Sequence, residues 1–225
     1  MQSFDLYLTR TETAVRKLFE GIAYYTDMLK AIRGTTFVSG ELDREKFMVQ
    51  YERWAEKNAK TLVRSVAAQQ KFAEQSFAMA TLCGAVLQVA AKAIECYSPV
   101  KRVPSELVAV VGNSKPATPF CVGRELRGLP IGLIVYAGRN QHTHFNEKRY
   151  NKVNEAVFNQ LAVFNHLRDP GLDLANPLLE SFASNITFIL GWRSYEAYDE
   201  DMKGMLREKT YPSIEGASSR PFTNP

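Results

Sequence analysis

The segment AMATLCGAVLQVAAKAIEC, residues 78–96, decides the fold class of this chain. It is apolar on nearly every side and contains no proline, which predicts a helix at the centre of a bundle. Apolar residues at spacings of three and four continue upstream to Phe47. The sequence therefore predicts either one very long helix or two helices that join near residues 57–60.

Helices are also expected on both sides of this segment. Apolar residues between Phe4 and Ile32 recur at helical spacing and end before Gly34, which predicts a long N-terminal helix. Prolines cluster in residues 98–129, so loops with short helical turns are expected there. Pro130 suits the first turn of a helix over residues 131–144. A further helix is expected over residues 153–167, and a terminal helix or pair over residues 178–206.

These elements predict an all-α fold, because no strand alternation competes with the helices. Residues 1–208 are expected to form a single domain, and residues 209–225, rich in Pro, Ser and Gly, a C-terminal tail. The chain has 225 residues, of which 23% are charged and 45% hydrophobic. This composition is typical of a soluble globular protein and excludes disordered and collagen-like classes.

The sequence favours a cytoplasmic protein with no membrane partner. The N-terminus lacks the pattern of a secretory signal, and the apolar stretches at residues 82–94 and 128–138 are shorter than the roughly 18 residues of a membrane span. Its three cysteines include no CxxC pair, which favours reduced thiols in or near the core. No metal site is expected, because the cysteines are not paired at metal-ligand spacing. No cofactor is expected either, because glycine-rich phosphate loops are absent from the sequence.

Charge is unevenly distributed along the chain, although the formal net charge is only +4. Residues 100–150 contain eight basic and three acidic side chains, whereas residues 171–208 contain three basic and seven acidic ones. The basic region could attract a polyanion, and its candidate binding residues are Arg124, Arg127, Lys148 and Arg149. The alternative is that both regions are ordinary solvated surfaces, as is expected for the acidic residues 196–201.

Residues 139–144 bring a candidate acid/base, a permanent cation and an amide together. On a helix, Asn140 and His144 share a face, as do Arg139 and His142, whereas Arg139 and His144 lie about 140° apart. A histidine can exchange a proton near neutral pH, and an arginine can neutralise a phosphodiester, so the cluster suits metal-free cleavage of RNA by its own 2′-hydroxyl. Alternatively, the histidines only stabilise the end of a helix and Arg139 lies along the core.

The string YAGRNQHTH, residues 136–144, resembles the Arg-x(4 to 6)-His signature of the HEPN superfamily. These proteins are all-helical bundles found in many RNA-cleaving toxins and in antiphage and CRISPR-associated effectors. The resemblance implies an HEPN-like bundle with long N-terminal helices. It implies that Arg139 contacts the scissile phosphate, that Asn140 orients His144 or the phosphate, and that His144 transfers protons. His142 is an additional histidine, assigned to binding.

The resemblance also implies a homodimer in which two motifs face each other. Toxins of the family that are silenced by adenylylation carry a tyrosine two residues after the histidine, where this chain has Asn146.

The first hypothesis is a metal-independent endoribonuclease or RNA-processing effector with a role in defence or a toxin-antitoxin pair. The alternatives are a noncatalytic module that binds RNA, nucleotide or a protein, and a scaffold in which the motif serves packing and dimer register.

Overall fold

The structure, a computed structural model, describes residues 3–31, 36–147, 150–164 and 166–207. Seven α-helices occur in this part of the chain: α1 (Phe4–Ala31), α2 (Arg44–Tyr97), α3 (Val108–Val111), α4 (Ile131–Thr143), α5 (Lys152–Ala162), α6 (Ala183–Ile189) and α7 (Tyr195–Leu206). Two 3-10 turns lie at Ser105–Leu107 and Thr118–Phe120. The all-α prediction is confirmed at this level, and the expected tail from residue 209 onward lies outside the described residues.

α1 and α2 form a long antiparallel pair. The Tyr7 hydroxyl donates to the carbonyl oxygen of Val89 at 2.9 Å, and Gly21, later in α1, lies against the side chain of Leu82, which is earlier in α2. α2 is one uninterrupted helix of 54 residues, which decides between the two alternatives. Its start is capped by Asp43, whose carboxylate accepts from two backbone N–H groups of the first turn.

α4 is the central helix of the fold. Nine of its thirteen residues are buried, and it packs against α2, α5 and α6. The buried part of α2 begins at Met79 apart from Ser65, so the segment that decides the fold is in the core as predicted. Cys83 and Cys121 are buried free thiols, whereas Cys96 is exposed.

Two short antiparallel ladders, each made of two-residue strands, lie between the helices, where no strand alternation in the sequence predicts them. β1 (Glu125–Leu126) pairs with β2 (Leu129–Pro130) through a two-residue turn. Arg127 and Gly128 form this turn with φ angles of 52° and 75°. Positive φ at both central residues is the conformation that joins strands of right-handed twist.

The second ladder corrects the predicted end of a helix. α5 ends at Ala162 instead of continuing to residue 167, and β3 (Val163–Phe164) pairs with β4 (Leu167–Arg168). The Arg127 guanidinium donates to the Leu161 carbonyl, which a longer helix would have paired with its own backbone. A contact from 34 residues away therefore helps to end this helix.

α2 is long and apolar enough to cross a membrane, with a mean hydropathy of 1.7 in its most apolar 18-residue window. The uninterrupted apolar runs of the sequence are shorter than this window, because polar residues are interspersed in it. However, 56% of the window is buried inside the fold, as in the core helix of a soluble protein.

Candidate functional site

The predicted motif residues, Arg139, Asn140, His142 and His144, lie on the last two turns of α4 and just beyond its end. α4 ends at Thr143, and His144 follows as the C-terminal cap, with its backbone N–H donating to the Asn140 carbonyl at 3.1 Å. The Thr143 hydroxyl donates to the Arg139 carbonyl at 2.9 Å. The helix period therefore governs which way residues 139–143 face, whereas His144 has non-helical backbone angles, with φ −116° and ψ 31°.

Arg139 faces α2, where it is paired with a carboxylate. Its Nη2 lies 2.8 Å from Glu95 Oε1, and only 21% of the Arg139 side chain is exposed. The opposite oxygen, Glu95 Oε2, lies 3.6 Å from Lys92 Nζ. Arg139 Nε is buried without a hydrogen-bond partner among the described residues. The guanidinium is thus in contact with an anion that belongs to the protein itself.

His142, rather than His144, is the histidine that packs into the fold. Its Nδ1 is hydrogen-bonded to Ser181 Oγ at 2.9 Å, and its ring lies directly against the backbone of Gly84 on α2. Burial lowers the pKa of His142 below its usual value, because the charged imidazolium loses hydration there. His142 is therefore suited to act as a neutral hydrogen-bonding group.

Gln141 ties the end of α4 to the segment before α6. Its amide donates to the Glu180 carbonyl at 2.9 Å, and its amide oxygen accepts from the backbone N–H of Phe182 at 2.9 Å. Together with the bond from His142, these contacts fix residues 180–182 on α4. Sequence reasoning missed this anchoring role, because an amide inside an apolar helix does not reveal its partner.

His144 is exposed and forms a pair with a carboxylate. Its Nδ1 lies 2.6 Å from Glu147 Oε1, and the two side chains are 54% and 58% exposed. Among the described residues, nothing is hydrogen-bonded to His144 Nε2. A carboxylate at one ring nitrogen fixes the imidazole and leaves the other nitrogen available for proton transfer.

Asn140 faces α5 and not His144. Its amide donates to Asn154 Oδ1 at 3.4 Å, and Asn154 is itself buried. Apart from the backbone bond between residues 140 and 144, the structure therefore shows no hydrogen bond from the side chain of Asn140 or Arg139 to the His144 imidazole within one chain.

Arg124 and Arg127 lie at the opposite end of α4 from His144. Both precede Ile131, and a helix of thirteen residues separates the two ends by about 20 Å. Arg127 contacts the end of α5 and lies 3.5 Å from Asp169. These two arginines do not form one surface with the motif, and Lys148 and Arg149 lie outside the described residues.

The partner of Arg124 corrects the expectation of a solvated acidic face for Asp201, whereas Glu196 and Glu200 of the same run are exposed as expected. Arg124 binds Asp201 through two nitrogens at 2.8 and 2.9 Å and also donates to the Leu190 carbonyl at 2.6 Å. Asp201 accepts a third hydrogen bond from the indole N–H of Trp192 and is only 11% exposed. This carboxylate is therefore part of the packing between α7 and the core, and not of a solvated face.

Two cavities adjoin the motif without including it. One, of about 760 Å³, lies between the middle of α2 and the segment before α6, and Ser181 lines it together with Phe72, Phe77, Glu180, Ser184 and Phe188. The other, of about 190 Å³, we call the lysine cavity; it is lined by Glu95, Ser98, Val100, Lys101, Lys115, Thr118 and Pro119. Glu95 therefore both lines the lysine cavity and contacts Arg139.

Glu95 and Glu147 are the partners that the sequence analysis did not single out. Glu95 is the one carboxylate in the mostly apolar segment of residues 78–96, which was an available signal. Within the described residues, no group of three or more His, Cys, Asp or Glu side chains is arranged to hold a metal ion. No protein-family model, no curated protein and no solved structure matches the chain.

Proposed function

We propose that this protein is a metal-independent endoribonuclease of HEPN type that acts as a homodimer. The observation that carries the proposal is the exposed His144–Glu147 pair, which lies five residues beyond Arg139. It supplies an oriented acid/base group next to the end of a helix, with an arginine one to two turns away. The sequence resemblance of residues 136–144 supports the same assignment.

In the proposed reaction, His144 Nε2 accepts the proton of an RNA 2′-hydroxyl. The 2′-oxygen then attacks the adjacent phosphorus, and the bond from phosphorus to the 5′-oxygen breaks. Arg139 stabilises the negative charge that develops on the phosphate oxygens. A protonated His144 on the second copy gives a proton to the leaving 5′-oxygen, so the products are a 2′,3′-cyclic phosphate and a 5′-hydroxyl.

The second copy answers a geometric problem of the single chain. Arg139 lies on α4 and is paired with Glu95, whereas His144 follows the end of the helix and is paired with Glu147, so the two side chains have different neighbours. One phosphate therefore meets both groups more readily when they come from two motifs that face each other.

The test is an RNA cleavage assay without metal, in the presence of a chelator, with identification of the new chain ends. We expect His144→Asn to lower the cleavage rate by about 10²–10⁴-fold, the usual contribution of a general acid or base. Arg139→Ala is expected to lower it as well. His166→Asn is the matched control, because His166 is an exposed histidine at a turn with φ 63°, a conformation that asparagine tolerates. Undiminished cleavage by folded His144→Asn would refute the proposal.

The second candidate function is a noncatalytic module that binds RNA or nucleotide. The pairing of Arg139 with Glu95 favours it over the nuclease, because the cation that would stabilise the charge on a reacting phosphate already has a carboxylate partner in the free chain. This candidate predicts salt-dependent binding of RNA and no cyclic phosphate ends in the same assay.

A further inference from the structure

The contacts of Glu95 place one carboxylate among several cations. Glu95 contacts Arg139 through one oxygen and Lys92 through the other, and it lines the lysine cavity with Lys101 and Lys115. These five side chains carry four positive charges and one negative charge. Among the described residues, Lys101 and Lys115 have no carboxylate within ion-pair distance. The region therefore retains a net positive charge although Arg139 is paired.

The hydrogen bonds of Arg139 are incomplete. Glu95 takes Nη2, whereas Nε is buried without a partner in the described part of the chain. A buried donor without a partner is unfavourable, and an anion that accepts from Nε and Nη2 together would satisfy both. Phosphate oxygens have the spacing for such a two-point contact with a guanidinium.

We propose that Glu95 is an exchangeable carboxylate that occupies Arg139 in the free protein, and that a phosphate of single-stranded RNA displaces it. This inference rests on the proposed function in its assignment of Arg139 to phosphate binding. The displaced carboxylate remains next to Lys92 and the lysine cavity, so the exchange leaves no negative charge unpaired. Glu95 thus competes with the RNA phosphate for Arg139 and lowers the affinity of the protein for RNA.

The test measures the affinity for RNA separately from cleavage. Fluorescence anisotropy with a labelled 20-nucleotide single-stranded RNA is recorded in the His144→Asn background, where the RNA stays intact. We expect Glu95→Gln to tighten binding about fivefold, the effect of removing a partly exposed ion-pair partner. Glu74→Gln is the matched control, because Glu74 is exposed on the same helix and no ion pair is described for it. It should change the affinity less than about twofold.

A double-mutant comparison decides whether Glu95 acts through Arg139. In an Arg139→Ala background, Glu95→Gln should give no more gain than Glu74→Gln does. Glu95→Asp keeps the charge but withdraws the carboxylate from Arg139, so it should also tighten binding. This second variant keeps the inference testable if Glu95→Gln does not fold. Equal affinity of the parent protein, Glu95→Asp and Glu95→Gln would overturn the inference, as would a gain that persists without Arg139.

The two proposals fail in different ways. Absence of cyclic phosphate ends refutes the nuclease but leaves an Arg139-dependent gain in affinity intact. Cleavage by the wild type together with no effect of Glu95 variants refutes only the exchange.

Discussion

Replacement of Gly84 by alanine should destabilise the protein, although alanine is the better helix former. A Cβ atom at residue 84 would lie 2.1 Å from both Cδ2 and Nε2 of His142. Atoms cannot approach so closely, and the imidazole is held on its other side by Ser181 at 2.9 Å. The ring must therefore move, and its hydrogen bond to Ser181 must stretch or break.

The expected magnitude combines three effects. Overpacking of a core position costs about 1–3 kcal/mol. Loss of the hydrogen bond costs about 1 kcal/mol. Better helix propensity returns about 1 kcal/mol. The free energy of unfolding should therefore fall by about 1–3 kcal/mol in Gly84→Ala.

The matched control is Gly204→Ala in α7, where an added Cβ meets no atom within 4 Å. This variant should gain about 0.5–1 kcal/mol from helix propensity alone. Urea denaturation followed by circular dichroism measures both variants. His142→Ala removes the ring, so the double variant Gly84→Ala/His142→Ala should be more stable than the sum of the single effects predicts. Stability of Gly84→Ala equal to or above that of the wild type would refute the close packing of His142 on α2.

Three further outcomes follow from buried groups. Because burial lowers the pKa of His142, the unfolded chain binds the proton more readily than the folded chain does. The free energy of unfolding should therefore fall as the pH drops below about 6.5. In urea titrations between pH 7.5 and 5, this fall should be shallower for His142→Asn than for the wild type. Tyr198→Phe removes a buried hydroxyl that has no partner in the described part of the chain, so the free energy of unfolding should stay the same or rise by up to about 1 kcal/mol. A clear fall in the free energy of unfolding would contradict this expectation. Asp201→Ala leaves the buried Trp192 N–H and the Arg124 guanidinium without their acceptor. It should lower the free energy of unfolding by about 2–3 kcal/mol in the same denaturation assay, and Asp201→Asn should lower it less.

The long helices could be predicted because their determinants are local. Apolar spacing, Asp43 at a helix start and the absence of proline act within a few residues, and they determine α1 and α2. The end of α5 could not be predicted in this way. It depends on Arg127, which reaches Leu161 only after the chain has folded.

The candidate site shows the same division. The helix period correctly placed Arg139 and His142 on one face, and both contact α2. The sequence could not show that this face meets Glu95 and Gly84, because a residue's partners depend on how two helices cross. It also could not show which of the two histidines is buried against the core.

The long α2 helix has a consequence for the dynamics of the protein. Its 54 residues extend for about 81 Å, yet only Ser65 is buried in the part of the helix that precedes Met79. Local opening requires little loss of contacts where a helix is mostly exposed, so the amide protons of residues 44–64 should exchange with solvent through local opening. Those of residues 79–94 should exchange only when the whole domain unfolds. One continuous helix in shape therefore consists of two regions that differ in how often they open.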